Sequence, residues 1–411
     1  MISDNERKEK FNHYALSLIG MAFLFLAGTQ AVAFYLKFGQ IGEFGSLLFY
    51  LAWAYLLIRT LFYYDVRGLF QLLILYLLVI VIFAASYWAF PLSRSYYISY
   101  SVNLRRVFLF FIPTMLIISR IRDFSKAISI WFPYACVGAA VILPYPFMSG
   151  RMGWDYQDYG LWLSPFVLIF FMRWRQKKKL AYLFLFLFHM VLVLFGGRQS
   201  LLIVVGFILV YTFYKMWFRN KMHAFLLLVF ASVAFLVFLA IKDQIFAMIA
   251  SFLNAFNIQT RTLDKLISGE LLNTDSRKPI FDAAVSIISK RGREPAGLLG
   301  DRYYLHQIVS WAPHVHNIVY EILIDFGTFM GGTLIALLVL AMLRRLIHGF
   351  IEKRTAILLM IILSVPHLMI SGSFVFDCSF YLMIGLLMNQ HYGDGTDNSR
   401  ISKKIKRDAI C

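Results

Sequence analysis

Apolar runs of roughly 15 to 25 residues recur from one end of the chain to the other, broken by short polar clusters, and that is the length a helix needs to cross about 30 Å of hydrocarbon. Because a bilayer interior offers no water, each backbone donor and acceptor has to be satisfied within its own segment, so helices are the expected form. The alternating pattern of a barrel strand is absent from the sequence. The expected spans lie at about residues 14–36, 44–63, 69–90, 106–119, 127–147 and 159–172, then at about 180–195, 200–217, 224–241, 317–343, 355–371 and 374–389. The pattern predicts an all-α fold, a polytopic transmembrane bundle of about twelve spans. The first span is too long for a signal peptide and lacks a small-residue cleavage site, so it is expected to stay attached as an anchor.

Composition agrees: 60% of the 411 residues are hydrophobic and 15% charged, more apolar surface than a soluble fold can hide. The net charge of +18 raises nucleic acid as a partner, but the basic residues sort by side of the membrane. Of 40 Lys and Arg, 25 fall in the alternate segments that include the N-terminal tail, the Arg173 to Lys179 cluster and the Lys403 to Arg407 tail. Nine of the other 15 share one long loop, and long loops weigh little in orienting a chain. Both termini are therefore expected in the cytoplasm, the charge is explained by orientation, and nucleic acid is not an expected partner. Cys136, Cys378 and Cys411 have neither disulfide nor zinc-site spacing.

Four regions are expected: an N-terminal transmembrane region over 1–241 (about nine spans), an extracytoplasmic loop over 242–316, a C-terminal transmembrane region over 317–391 (about three spans), and a disordered cytoplasmic tail over 392–411. Within the loop, apolar spacing predicts a short amphipathic helix over 276–288, capped by Asp275 or Ser276 with Pro279 in its first turn. Phe281, Val285 and Ile288 would form its apolar face, which needs a lipid or protein surface to cover it. Pro295, Gly297 and Gly300 then punctuate the chain before it re-enters the membrane.

Three features converge on the extracytoplasmic face. Gly196-Gly197-Arg198 is a tight turn between two spans, where glycines expose backbone amides and Arg198 offers a fork of donors suited to a phosphate. Arg277 opens the loop helix, whose N-terminus also favours an anion. His314-Val315-His316-Asn317 leads into a span on which His316 and Tyr320 share one helical face and Asn317, Glu321 and Asp325 stack at four-residue spacing on the next. A histidine there can take a proton from a hydroxyl near neutral pH, and carboxylates near the top of a span are usually functional or paired. Blander readings stand beside each: a snorkelling Arg198, a solvated Arg277, and a His314/His316 pair that makes interfacial hydrogen bonds. A two-residue His spacing does not aim both rings at one ion, so neither metal nor cofactor is expected.

At these residues the sequence resembles the bacterial O-antigen polymerase and O-antigen ligase superfamily. The resemblance rests on His316-Asn317, Glu321, Asp325 and Gly327 opening a span, on Asp275-Ser276-Arg277 with Ile280-Phe281 and Ala283-Ala284 as a loop helix, and on Gly197-Arg198 at a membrane boundary. It covers roughly residues 150 to 340 in detail. Two departures are Asp325 where Glu is usual, and Arg293 to Gly297 where an Asn-Pro-Leu-like turn is common. The resemblance implies a metal-independent glycosyltransferase in the cytoplasmic membrane of a bacterium. It would move glycan from an undecaprenyl diphosphate-linked donor to the non-reducing end of another lipid-linked repeat unit, or, as a ligase, to lipid A core. It also implies His316 as base, Arg198 and Arg277 on the diphosphate, and His314, Asn317, Tyr320, Glu321 and Asp325 in support. Membrane lipid, a chain-length regulator and a flippase of the same pathway would be its partners.

A flippase or secondary transporter is the reading from another class. Transporters tend to show repeats and charges near the midplane, whereas this chain shows no repeat and buries only His189 and His367 at depth, each explicable as a helix-to-helix hydrogen bond. Reporter fusions at Lys178 and in the C-terminal tail should score cytoplasmic and a fusion near residue 270 extracytoplasmic; a cytoplasmic score at 270 would overturn this topology.

Overall fold

The computed structural model describes residues 3–35, 41–144, 156–254, 277–348 and 351–389, and among them every regular element is a helix. In chain order these are α1 (Asp4–Tyr35), α2 (Ile41–Phe62), α3 (Val66–Ala89), the short α4 (Arg94–Ser99) and α5 (Ser101–Arg106), α6 (Ile112–Ile118), α7 (Ala127–Ile142), α8 (Tyr156–Lys177), α9 (Leu180–Leu192), α10 (Arg198–Trp217), α11 (Lys221–Asn254), α12 (Lys278–Arg291), α13 (Gly300–His306), α14 (Ile318–Phe326), α15 (Thr328–Ile347), α16 (Ile351–Ile370) and α17 (Cys378–Leu387). A π-helical turn, Val107–Phe111, joins α5 to α6.

Six stretches among the described residues are long and apolar enough to cross a membrane: Asp4–Gly28, Val66–Ala89, Ser101–Ile118, Gln199–Trp217, Thr328–Ile347 and Glu352–Ile370. Two of them, α3 and α15, bury almost nothing against the protein. Leu73, Ile74, Leu77 and Val81 on α3, with Leu337 and Leu340 on α15, stand exposed. Apolar surface that continuous belongs in hydrocarbon, so the chain reads as a helical membrane protein.

The helix α1 runs through the middle of the bundle, packed on α2, α7 and α8, with Leu18, Ile19 and Ala22 wholly buried. Polar groups in this apolar interior find partners, as they must. The Trp131 indole donates to the Leu16 carbonyl at 2.9 Å, and the Trp53 indole to the Thr114 hydroxyl at 3.0 Å.

Several expected boundaries change. The helix of the ninth expected span, α11, continues unbroken past the expected loop start at 242 to Asn254: Ile245, Met248 and Ile249 prolong the apolar pattern, and Lys242 and Asp243 alone do not break a helix. The expected span 317–343 is two helices, α14 and α15, divided at Gly327, whose φ of +76° is a left-handed value. The loop helix exists as α12, beginning at Lys278 with Pro279 in its first turn; Asp275 and Ser276 lie outside the described residues. The buried face of α12 is Ile280, Ala283, Ala284 and Ile287, not the Phe281/Val285/Ile288 face expected, and Val285 is exposed. The reason is that protein covers it: those residues form a second small core with Leu305, Val309, Val315 and Ile324. The expected tail over 392–411 lies outside the described residues.

Gly327 is the joint that sets α14 against the loop. A Cβ there would collide with the Arg293 carbonyl oxygen, whereas one on Gly332 meets nothing within 4 Å. Gly327→Ala should therefore lower thermal stability in detergent, by at least the roughly 1–2 kcal/mol of a left-handed non-glycine residue, while Gly332→Ala should be neutral or stabilising. Equal melting temperatures for the two variants would show that the joint is not strained.

Candidate functional site

The segment between α16 and α17 supplies the hub of the polar end. The Ser371 carbonyl lies 2.9 Å from Nε2 of His314 and 3.1 Å from Nδ1 of His316. A carbonyl oxygen only accepts, so each of these nitrogens must carry a proton, and in the neutral rings the remaining nitrogens, Nδ1 of His314 and Nε2 of His316, are left with lone pairs. The two rings lie with centroids 4.2 Å apart. The Ser371 hydroxyl donates to Gln199 Oε1 at 2.8 Å, and Gln199 Nε2 donates to the Pro366 carbonyl at 3.2 Å. One serine thus pins the first turn of α10 to both histidines. Arg198 is the first residue of α10, so the backbone that carries it is held next to this hub.

His316 is not on the helix it was expected to share with Tyr320. It precedes the helix with φ +53°, in the left-handed region, and Asn317 is the N-cap. Asn317 Oδ1 accepts from the Val319 amide at 2.9 Å and the Tyr320 amide at 3.4 Å, a cap worth about 1 kcal/mol. The reversal of the chain at His316 swings its ring back toward Ser371. Burial holds the pKa of His316 below the ordinary histidine value, and the charge of Arg277 pushes it the same way, against the Ser371 bond. Burial and the neighbouring His316 and Arg302 push His314 down to about 3. Both rings are therefore neutral at pH 7, and His316, half-buried, is poised to accept a proton at Nε2.

Arg277 is the residue before α12, and its charge acts on the His316 ring. Tyr320 packs edge-on against Phe281, ring centroids 6.1 Å apart, and so fixes α14 against α12. The structure thus brings His314, His316 and the first turn of α10 together around Ser371, with Asn317 capping α14 and Tyr320 packed on Phe281 of α12, the helix that Arg277 precedes.

Glu321 and Asp325 turn inward. Asp325 accepts from the amides of Leu299 at 3.2 Å and Asp301 at 3.0 Å. Glu321 accepts from the Ser373 hydroxyl at 2.5 Å, the Phe374 amide at 3.1 Å and the Arg302 guanidinium at 3.4 Å. Arg302, 1% exposed, also donates to Asp301 at 2.5 Å and Ser373 at 2.8 Å. These carboxylates are anchors that join α13, α14 and the 371–377 segment. Asp301, Glu321 and Asp325 are also the group among the described residues whose oxygens lie close enough to share a metal ion, and the Arg302 guanidinium already supplies a cation to two of them.

Below His314 a cavity of about 370 Å³ opens between α1, α8, α10, α16 and α17, with Arg302, Asp158 and Asp377 among its polar lining and Phe23, Leu26 and Leu363 among its apolar lining. Sequence reading missed Arg302, Gln199, Ser371 and Ser373. The adjacent opposite charges of Asp301 and Arg302 in an otherwise aromatic stretch were a usable signal; a backbone carbonyl such as that of Ser371 has none. Compared with models of protein families, with curated proteins and with solved structures, the chain matches none.

Removing Arg302 would leave buried carboxylates uncompensated, a loss on the order of 3–5 kcal/mol. Arg302→Ala should lower the melting temperature sharply in detergent, whereas Lys290→Ala, on the exposed end of α12, should leave it unchanged. A wild-type melting temperature for Arg302→Ala would show that this guanidinium does not anchor the polar end.

Proposed function

We propose that the protein is a membrane glycosyltransferase that extends a surface polysaccharide from an undecaprenyl diphosphate-linked donor. The observation that carries this reading is the pair of histidines held by one carbonyl, which leaves His316 with a lone pair on Nε2, while the charge of Arg277 acts on the same ring. In this reading the chain crosses the cytoplasmic membrane of a bacterium about twelve times with both termini inside, and the polar end faces out. The acceptor hydroxyl gives its proton to His316 Nε2 as its oxygen bonds to the anomeric carbon of the donor. The anomeric carbon–oxygen bond breaks, and its electron pair leaves on the diphosphate. Arg198 and Arg277 stabilise the charge that collects there, which is where preorganised cations lower a barrier most. His316 then releases its proton to bulk water. The reaction needs no redox change.

Transfer to another lipid-linked repeat, the polymerase reaction, is the favoured form because such enzymes are numerous and divergent. Transfer to lipid A core would use the same donor and the same residues. Surface polysaccharide from a deletion strain separates them on a gel: core capped with a single repeat means a lost polymerase, and long polymer on the lipid carrier with bare core means a lost ligase. An unchanged polysaccharide rejects both.

His316→Ala should reduce transfer by at least about a hundredfold at wild-type protein level, and Arg198→Lys should fail to replace the guanidinium because an ammonium cannot reproduce a bidentate contact. Normal polysaccharide from a well-expressed His316→Ala strain would exclude this residue as the base, and His314 would be tested next. The pH profile gives a second check. A base works only when neutral, so the rate should fall with falling pH, and because the His316 pKa is depressed that fall should come below about 6.5. In the residual activity of Arg277→Met the fall should move to higher pH, since the charge that helps to depress the ring is gone; an unmoved profile would separate Arg277 from His316.

A further inference from the structure

Resting on this transfer reading, we propose that the cavity beneath His314 receives the terminal sugar of the acceptor glycan, with Trp162, Tyr100 and Phe376 as apolar platforms and Asp158 and Asp377 as hydroxyl partners. The cavity is lined by His314, whose ring centroid lies 4.2 Å from that of His316, so a group seated there is one ring away from the base. Its chemistry decides which part of the substrates belongs in it. Asp158 in the wall repels a diphosphate, Asp377 is held as the N-cap of α17 and against His367, and the guanidinium that also reaches the wall, Arg302, is already matched by Asp301 and Glu321. A neutral polyhydroxylated ring suits this lining: its hydroxyls donate to carboxylates, and its C–H faces lie on aromatic rings.

Size decides between the two glycans. The volume of about 370 Å³ equals about a dozen waters, room for one sugar ring and part of another. The donor sugar carries the diphosphate on one side and the rest of its glycan on the other, so it needs two exits and must keep its phosphates by Arg277. The acceptor presents a chain end, and a chain end fits a small chamber. Asp158 and Trp162 are thereby specificity residues that position the acceptor, distinct from the base and from the cations on the donor.

The test uses the full-length protein in liposomes with a fixed amount of lipid-linked repeat unit as donor. Two acceptors are run in parallel: the soluble repeat unit released from its carrier by mild acid, and the host's core oligosaccharide. Asp158→Asn and Trp162→Leu should each raise the KM of whichever acceptor is used by about tenfold or more. Inhibition by free undecaprenyl diphosphate, which reads the donor site, should keep its wild-type half-inhibitory concentration, and Trp162→Phe, which restores an aromatic face, should recover most of the affinity. Wild-type acceptor KM in Asp158→Asn and Trp162→Leu overturns the inference and leaves the transfer reading standing. No transfer by the wild-type protein to either acceptor overturns both. Should Trp162→Leu fail to fold, Asp158→Asn decides alone, since Asp158 is exposed.

Discussion

The polar end of this protein depends on one buried cation. Arg302 lies inside an otherwise apolar bundle and bonds to Asp301, Glu321 and Ser373, which sit on three separate stretches of chain. A guanidinium in that position cannot give up its partners without stranding charge in a low-dielectric interior, so each stretch is held against the other two. Its effect is positional. With Glu321 and Ser373 locked, the segment from Ser371 to Asp377 has one place to lie, and the Ser371 carbonyl is aimed at the two histidines. Glu321, expected in a supporting role, bonds to this segment and fixes the backbone that orients the histidines.

The histidine pair shows how a backbone atom can set protonation chemistry. Because a carbonyl can only accept, it dictates the proton positions on His314 and His316, and burial keeps both rings neutral. The left-handed backbone at His316 belongs to the same device, since it reverses the chain between the loop and the N-cap at Asn317. Gln199 carries the linkage to α10 through the Ser371 hydroxyl, so the first turn of that helix is positioned by the same residue.

Outside this end the molecule obeys a simpler constraint. The helices α3 and α15 present leucine, isoleucine and valine outward along their length, which is stable only against hydrocarbon, while α1 is buried by its neighbours. The loop between α11 and α14 solves its own burial problem locally: Ile280, Ala284 and Ile287 are covered by Leu305, Val309 and Val315, not by lipid. The cavity lined by His314 takes residues of both kinds, Phe23, Leu26 and Leu363 among the apolar and Asp158, Asp377 and Arg302 among the polar.

The helical class and the rough place of each apolar segment were legible in the residues alone, because run length and composition are local properties that a bilayer constrains strongly. Arg277, His314, His316 and Asn317 stood out in the same way, since a charge or an imidazole beside an apolar span costs too much to be incidental. Packing settled the rest. Asp325 and Glu321 keep the helical spacing read from the sequence, but which way that face looks depends on α13 and the 371–377 segment packing over it. The break at Gly327 was invisible in a continuous apolar run, because a left-handed glycine is set by the Arg293 carbonyl against it and not by its neighbours in sequence. Arg302 and Ser371 escaped for the same physical reason: Asp301 apart, the partners that fix them across the fold lie 19 to 172 residues away, in contacts that exist only once the chain has folded.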